Sequence, residues 1–493
     1  MRVALASFLL LSLLTPLASA QEDVDDRFED SVVRLSVSKQ SFDVSVPWQA
    51  GDVSQQLHLG VVLDGNRILT TAFAVADATF IEMTRFGETA RWEMQPRFVD
   101  WEANLALLTA VKSEAYQGLS PVSLGEDLKV NDKVDIFKAR DTYQMSRMQA
   151  SIQEVGSYTS VTSTYSLVSY LLKVQQTGLG WSEPIFQGGR LVALATGQDN
   201  NYVYAMPMAV IRHFLDDTHE EGKYRGFPSI GVELDSLVSP DVRKLIGAEA
   251  WQRGVRIAEV MADSSFAQKL EPDDVLLEVG GTPISEHGFF THPKWGKLHL
   301  KYLLNERYAG DVLELKIVRK GKELTVSAPL TRFDSNRTKV VAYGYGRKEP
   351  HFIFGGLVFQ ELTRNYLKQW GRDWRSAAPF DLMYIYDYQN APEAEPGRRI
   401  VLMSRVLADE FNRGYGDLRN VVVDEVNGRK IRSLEDMRAA LRDAAITRGG
   451  KRYAKISFLR GGGEVILAYD GLEAAHERIA KTYEVTAPES FFR

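Results

Sequence analysis

Gly254-Val255-Arg256-Ile257-Ala258-Glu259-Val260, followed by Asp274-Val275-Leu276-Leu277-Glu278-Val279-Gly280-Gly281, has an echo later in the chain. There Arg399-Ile400-Val401-Leu402 precedes Val422-Val423-Asp424-Glu425-Val426-Asn427-Gly428. Each copy continues to an isoleucine, Ile284 or Ile431, and then to a helical stretch. Each closes in a hairpin turned by glycine, Lys320-Gly321-Lys322 in one and Gly461-Gly462-Gly463 in the other. Self-similarity of this kind predicts a duplicated mixed α+β domain. The triple glycine has strands on both sides and no helix after it, so it reads as a hairpin turn and not as a phosphate loop.

Upstream of the repeat the pattern changes. Short apolar runs at 32–37, 60–63, 68–71, 80–83, 105–109, 134–137, 152–155, 167–174, 191–195 and 202–205 are separated by turn signals such as Asp64-Gly65-Asn66 and Gln187-Gly188-Gly189. Many short strands with polar turns predict an all-β sandwich or a pair of barrels. Residues 207–214 read as a helix start, with Pro207 in the first turn and Met208, Ile211 and Phe214 on one face. Polar stretches at 216–226 and 336–350 read as linkers. The expected units are therefore 28–220, 226–335 and 350–485, the last with a helical extension at 472–481. A chain of 493 residues is too long for one core, which agrees with three domains.

Hydrophobic content of 44% and charged content of 25% describe ordinary globular material. A net charge of -6, with Lys and Arg scattered, gives no support for nucleic acid or an anionic membrane as the main partner. The absence of cysteine excludes disulfides, thiolate metal sites, a cysteine lipid anchor and a cysteine nucleophile. Met1-Arg2, an apolar run at 3–14 and the small residues of Leu17-Ala18-Ser19-Ala20 predict a signal peptide, 1–20, removed after Ala20. The mature chain is then expected in the periplasm or secreted. No later run reaches 18 consecutive apolar residues, so no further span is expected.

Several motifs resemble the HtrA/Deg family of exported or organellar serine proteases, in which a trypsin-like domain precedes PDZ domains. Arg67-Ile68-Leu69-Thr70-Thr71-Ala72 is similar to that family's strand before its histidine, and Asn104-Leu105-Ala106-Leu107-Leu108 to the strand that opens with its aspartate. The segment 178–184 stands where the family has its Gly-Asn-Ser-Gly-Gly nucleophile loop, and Tyr204-Ala205-Met206-Pro207 resembles the closing strand and helix. Gly226-Phe227-Pro228-Ser229-Ile230-Gly231-Val232 resembles the start of a first PDZ domain. Phe354-Gly355-Gly356-Leu357-Val358-Phe359, with Tyr366-Leu367 and Gly414-Tyr415, resembles a second, of the plant-type Deg branch. The resemblance implies a mainly β chain: a trypsin-like double β-barrel followed by two α+β PDZ-like domains.

The chemistry of that family needs a nucleophile, a histidine to take its proton and a carboxylate to hold the histidine. Carried over position by position, the histidine site holds Phe73, the aspartate site Asn104 and the nucleophile site Trp181. A slip of one residue offers Ser182 as a fallback nucleophile, and Asp100 lies four residues before Asn104. Between Gln21 and Tyr204, however, the single histidine is His58, which precedes the strand that should lead into the base. Ser182 and Glu183 also replace two glycines of the loop, and a carboxylate beside a forming oxyanion repels it. No catalytic residue is therefore assigned, and no metal or cofactor is expected. His213, His219, His287, His292, His299, His351 and His476 lack metal-ligand spacing.

A PDZ domain captures peptide by strand addition. In the first unit Ser229-Ile230-Gly231-Val232 is the candidate carboxylate loop, with Val232 and Leu234 on the pairing strand. The stretch 285–300, with Phe289, Phe290 and Trp295, is expected to alter or cover that groove. In the second unit Gly356, Leu357, Val358 and Phe359 form the corresponding loop. The insertion at 364–398, with Trp370, Trp374, Pro379, Pro392 and Pro396, resembles a branch whose second PDZ supports assembly. The expected function is a non-catalytic protein that binds peptide or protein C-termini, including misfolded exported chains, or scaffolds a homo-oligomer. The alternatives are an active serine endopeptidase of protein quality control using Ser182, and a regulatory subunit mixed with active relatives.

Overall fold

A computed structural model of the chain describes residues 28, 30–139, 144–175, 177–179, 181–218, 224–342, 344–346, 348–391, 397–443, 445–459 and 463–492. The expected signal peptide, His219, Pro392, Pro396 and Gly461-Gly462 lie outside the described residues. Among those described, no helix is long and apolar enough to cross a membrane.

The chain is mainly β, and its first part folds as two closed six-stranded barrels. In the first, β1 (Val32–Lys39), β2 (Ser54–Leu63), β3 (Arg67–Thr70), β4 (Ala78–Thr84), β5 (Trp92–Asp100) and β6 (Leu105–Ala110) close in the order β1-β2-β3-β6-β5-β4. In the second, β7 (Lys133–Ala139), β8 (Met145–Thr159), β9 (Ser166–Lys173), β10 (Pro184–Gln187), β11 (Arg190–Asp199) and β12 (Tyr202–Pro207) close as β10-β11-β12-β9-β8-β7. Alternation explains the inside of the first barrel. On β1, Val33, Leu35 and Val37 are fully buried while Arg34, Ser36 and Ser38 are half-buried between them. Closure leaves neither barrel an open edge strand.

Two of these strands carry no clear sequence pattern. β5 holds exposed Glu93, Gln95 and Arg97 around Pro96, a composition that reads as loop; pairing with β6 and β4 makes it a strand. β10 is only four residues long and follows residues 181–183, which form no regular element.

The middle unit contains a sheet ordered Val232–Asp235, Val255–Val260, Val275–Val279, Val312–Arg319, Lys322–Pro329, so that Val232–Asp235 is an edge strand. Ile257, Phe266, Leu276, Leu315 and Ile317 are fully buried beneath it. The 285–300 stretch, expected to alter or cover the groove, contributes only Leu300 to its lining. It folds as the hairpin Phe289–His292 and Gly296–His299 and docks on the second barrel. There Trp295 Nε1 donates to the Leu128 carbonyl at 2.7 Å and the indole meets Tyr170 edge-on. The expected helix of this repeat follows as the single turn Tyr302–Asn305.

In the C-terminal unit the strand order is His351–Phe354, Leu357–Glu361, Val401–Val406, Val421–Val426, Lys451–Phe458, Ile446–Arg448. The helix Leu434–Asp443 buries Met437 and Leu441 against Phe352, Phe359 and Ile456. The last helix, Leu472–Thr482, packs Ala475 and Ile479 against Ile353, Val358 and Trp48. Trp48 comes from the β1–β2 connection, so the first barrel is anchored directly on this unit.

Glu102 joins the units at another point. Its carboxylate is buried and accepts hydrogen bonds from Ser163 Oγ (2.6 Å), Ser335 Oγ (2.7 Å) and Ser335 N (3.2 Å), linking both barrels to the segment that leaves the middle unit. Burial raises its pKa to about 7, against the pull of those donors. In the fold Glu102 keeps its proton up to about pH 7, whereas the unfolded chain releases it near 4.5. Its contribution is therefore full below pH 4.5 and is lost as pH rises to about 7, a change of at most about 3 kcal/mol. Glu102→Gln keeps an acceptor for Ser335 and offers its amide to Ser163 without a charge. Urea midpoints between pH 5 and 8 should fall less steeply in this variant than in the native chain; parallel curves would remove Glu102 as the titrating group.

Candidate functional site

The barrel cleft is built around Phe73. It sits on the single turn Ala72–Val75, capped by Thr71, whose hydroxyl accepts from Ala74 N at 3.2 Å. Asn104, at the start of β6 with a left-handed φ of 53°, accepts the Phe73 N–H through Oδ1 at 2.8 Å. The amide thus positions the turn by a backbone bond. Its other end, Nδ2, is buried with no hydrogen-bond partner. Asp100 is committed elsewhere: Oδ1 accepts from Ala103 N and Oδ2 from the Tyr224 hydroxyl.

Trp181 closes the cleft. Its ring, 40% exposed, stacks on Phe73 with centroids 4.5 Å apart, and its carbonyl accepts from Thr71 Oγ1 at 2.7 Å. Lys39 Nζ lies 4.8 Å from the Phe73 ring centroid and donates to the Phe73 carbonyl at 2.8 Å. Burial lowers its pKa to about 8, partly opposed by Asp77.

Ser182 is buried, and its Oγ accepts from Leu59 N at 2.8 Å. His58 is buried nearby, edge-on to Phe73 at 6.5 Å. Its Nδ1 has no partner and its Nε2 faces Gln56 Oε1 at 3.4 Å, so neither nitrogen bonds Ser182. Burial, aided by Lys39, lowers the His58 pKa to about 3 and keeps the ring neutral.

An oxyanion hole uses the N–H of the nucleophile position and the N–H two residues before it. Two N–H groups so spaced in this loop, those of Leu179 and Trp181, are bonded to side chains. Glu183 Oε2 accepts from Trp181 N at 2.9 Å and from Ser182 N at 3.3 Å, and Gln198 Oε1 accepts from Leu179 N at 2.7 Å. Glu183 is itself buried. The sequence flagged Glu183 as repulsive; it held no signal for Gln198 or Lys39, which fold back from other strands.

The second candidate site lies in the middle unit. Ser229, Ile230, Gly231, Val232 and Leu234 line one cleft of about 440 Å³, with Leu300 and Leu304 across from the edge strand. Ser229 Oγ accepts from Gly231 N at 3.0 Å, and Ser264 Oγ donates to the Ile230 carbonyl at 2.6 Å. Gly231 has φ 62° and a Cβ there would stand 2.7 Å from Ser264 Cβ, so glycine is required. Sequence reasoning missed the far wall, where Tyr386 and Tyr388 arrive from the C-terminal unit's helix Phe380–Tyr388.

The second PDZ loop requires correction. Only Gly355 and Gly356 turn, both with positive φ; Leu357, Val358 and Phe359 belong to a fully buried strand. That strand is paired with Val401–Val406 on one side and with His351–Phe354 on the other. Its pairing edge is filled by the chain's own strand, and Phe491 bridges to Ile353 beyond it. No free peptide can add there.

Comparison with known proteins finds the following similarities. The PDZ domain family matches residues 340–491. A putative protease Do-like 3, mitochondrial, from Arabidopsis thaliana is 25% identical over 414 residues, covering 83% of this chain and 71% of its own length. Protease Do-like 2, chloroplastic, from the same plant is 25% identical over 423 residues, 84% of this chain and 68% of its own. Among solved structures, an HtrA-type protease AlgW with decapeptide aligns with TM-score 0.48 at 16% identity, covering 62% of this chain and 96% of that one.

Proposed function

We propose that this chain, a relative of the HtrA/Deg proteases with a trypsin-like fold and a PDZ domain, binds peptide without cleaving it. The observation that carries this reading is the state of the barrel cleft. Its two oxyanion donors are bonded to Glu183 and Gln198, and Phe73 and Trp181 stack where base and nucleophile would meet. A serine without a base is a poor nucleophile, and loss of a whole triad costs on the order of a million-fold in rate. Ligand capture falls to the cleft beside Ser229 to Leu234, which takes C-termini of peptides or misfolded exported proteins, in the periplasm or outside the cell. Assembly with itself, or with active relatives, belongs to the same proposal.

The names of the relatives favour a second reading, a working endopeptidase that uses Ser182. Two measurements on the purified chain separate them. The non-catalytic reading expects casein to remain intact and a fluorophosphonate probe to leave the protein unlabelled. It also expects carboxy-terminal peptides to bind, and Leu234→Asp to weaken them at least tenfold by placing a charge on the pairing strand. Covalent labelling that disappears in Ser182→Ala would establish the enzyme instead.

A further inference from the structure

The edge strand Val232–Asp235 is paired on one side only, by Val255–Val260. Met261 N donates to the Gly231 carbonyl at 2.9 Å, which marks that pair as the hydrogen-bonded one. By antiparallel alternation the next pair, Val232 with Val260, is not bonded, so the N–H and C=O of Val232 point away from the sheet into the cleft. An added peptide strand would bond there. Its residues abreast of Val232 and Leu234 would share their half-buried face, towards Leu300 and Leu304. The residue between them would lie abreast of Glu233, on the other face.

That other face carries an unusual pair. Glu233 and Glu259 stand directly opposite each other across the two strands, and both are exposed. Neither has an ion-pair partner among the described residues. Like charges opposed in this way are destabilising, and an opposite charge beside them is favourable. The rest of the cleft wall does not supply one. Beyond the pair it holds three carboxylates, Asp263, Asp334 and Asp387, and three cations; of the cations, Arg337 is paired with Asp263 and Arg332 lies over Tyr224. Lys301 remains, on the opposite wall.

We propose that the cleft selects peptides with lysine or arginine at the position abreast of Glu233, which is the next-to-last residue when the terminal carboxylate rests at Ser229 to Gly231. The bound strand would continue the row Glu259–Glu233 with a cation, so that one side chain neutralises two carboxylates. This rests on the peptide-binding reading above and adds the side-chain chemistry to it.

The test uses the full chain and fluorescein-labelled decapeptide pools with a free carboxylate. Their last residue is an equal mixture of Val, Leu, Phe and Ala, and the next-to-last residue is fixed as Lys, Ala or Glu. Anisotropy titrations are expected to rank Lys over Ala over Glu, with Lys about tenfold tighter than Glu and the gap shrinking in 0.5 M salt. The double variant Glu233→Gln with Glu259→Gln, both exposed, should lose the ranking, with the three pools binding within about twofold of one another. Equal binding of the three pools, or a ranking that persists in the double variant, overturns the charge selection while leaving peptide capture intact. Failure of all three pools to bind overturns both.

Discussion

A variant carrying Phe73→His, Asn104→Asp and Trp181→Ser is expected to react with a fluorophosphonate far more slowly than its rebuilt triad would suggest. The reason lies in Glu183, whose carboxylate would still accept the N–H at position 181 and the one after it. An oxyanion donor already bonded to an anion is lost to catalysis, and loss of one donor costs roughly 10² to 10³ in rate. Adding Glu183→Gly should therefore raise the second-order labelling rate by about two orders of magnitude. A smaller further gain is expected from Gln198→Ala, which frees the N–H of Leu179. If the triple variant already labels as fast as the quadruple one, the carboxylate is not what closes the cleft. The comparison separates two kinds of loss, since side chains that do chemistry and backbone that stabilises charge are removed by different residues.

Replacement of Gly356 by alanine is expected to destabilise the C-terminal unit by about 3–5 kcal/mol. Gly356 has φ 90°, and a Cβ on it would stand 2.2 Å from Asn412 Nδ2 and 2.5 Å from the Leu407 carbonyl. Asn412 cannot yield without loss, because Nδ2 donates to the Gly355 and Leu407 carbonyls at 2.9 and 2.8 Å in a buried setting. Strain, a steric clash and two broken buried hydrogen bonds thus coincide at one position. Gly414→Ala supplies the control: its φ is 95°, but nothing lies within 4 Å of the added methyl group. It should cost only the backbone strain, about 1 kcal/mol. Urea unfolding of both variants measures the difference; equal losses would show that φ alone, not the contact with Asn412, sets the requirement for glycine.

The glycine at 356 shows how far the chain could be read without its fold. Phe354-Gly355-Gly356-Leu357-Val358-Phe359 was legible as the start of a PDZ-like unit, but the turn is confined to Gly355 and Gly356, where a loop from Gly356 to Phe359 was expected. That the strand after it is closed on both sides was not legible, because its second neighbour, His351–Phe354, pairs through backbone groups that carry no residue signature. The barrel strands divide in the same way. Alternation reveals β1 through its inward Val33, Leu35 and Val37, whereas β5 is a strand only because β4 and β6 flank it.

The chemical identity of the cleft residues was legible from the chain alone. The stretch 21–204 holds a single imidazole, His58, and composition alone says so. Where that imidazole points, and what occupies the oxyanion donors, came from long-range contacts: Phe73 with Asn104, Leu59 with Ser182, Leu179 with Gln198. The opposition of Glu233 and Glu259 is of the same kind, since strand register places them abreast across a gap in sequence. Side-chain chemistry is local and is written residue by residue, while hydrogen bonds and charge pairs across strands depend on burial and register, which exist only once the sheets have closed.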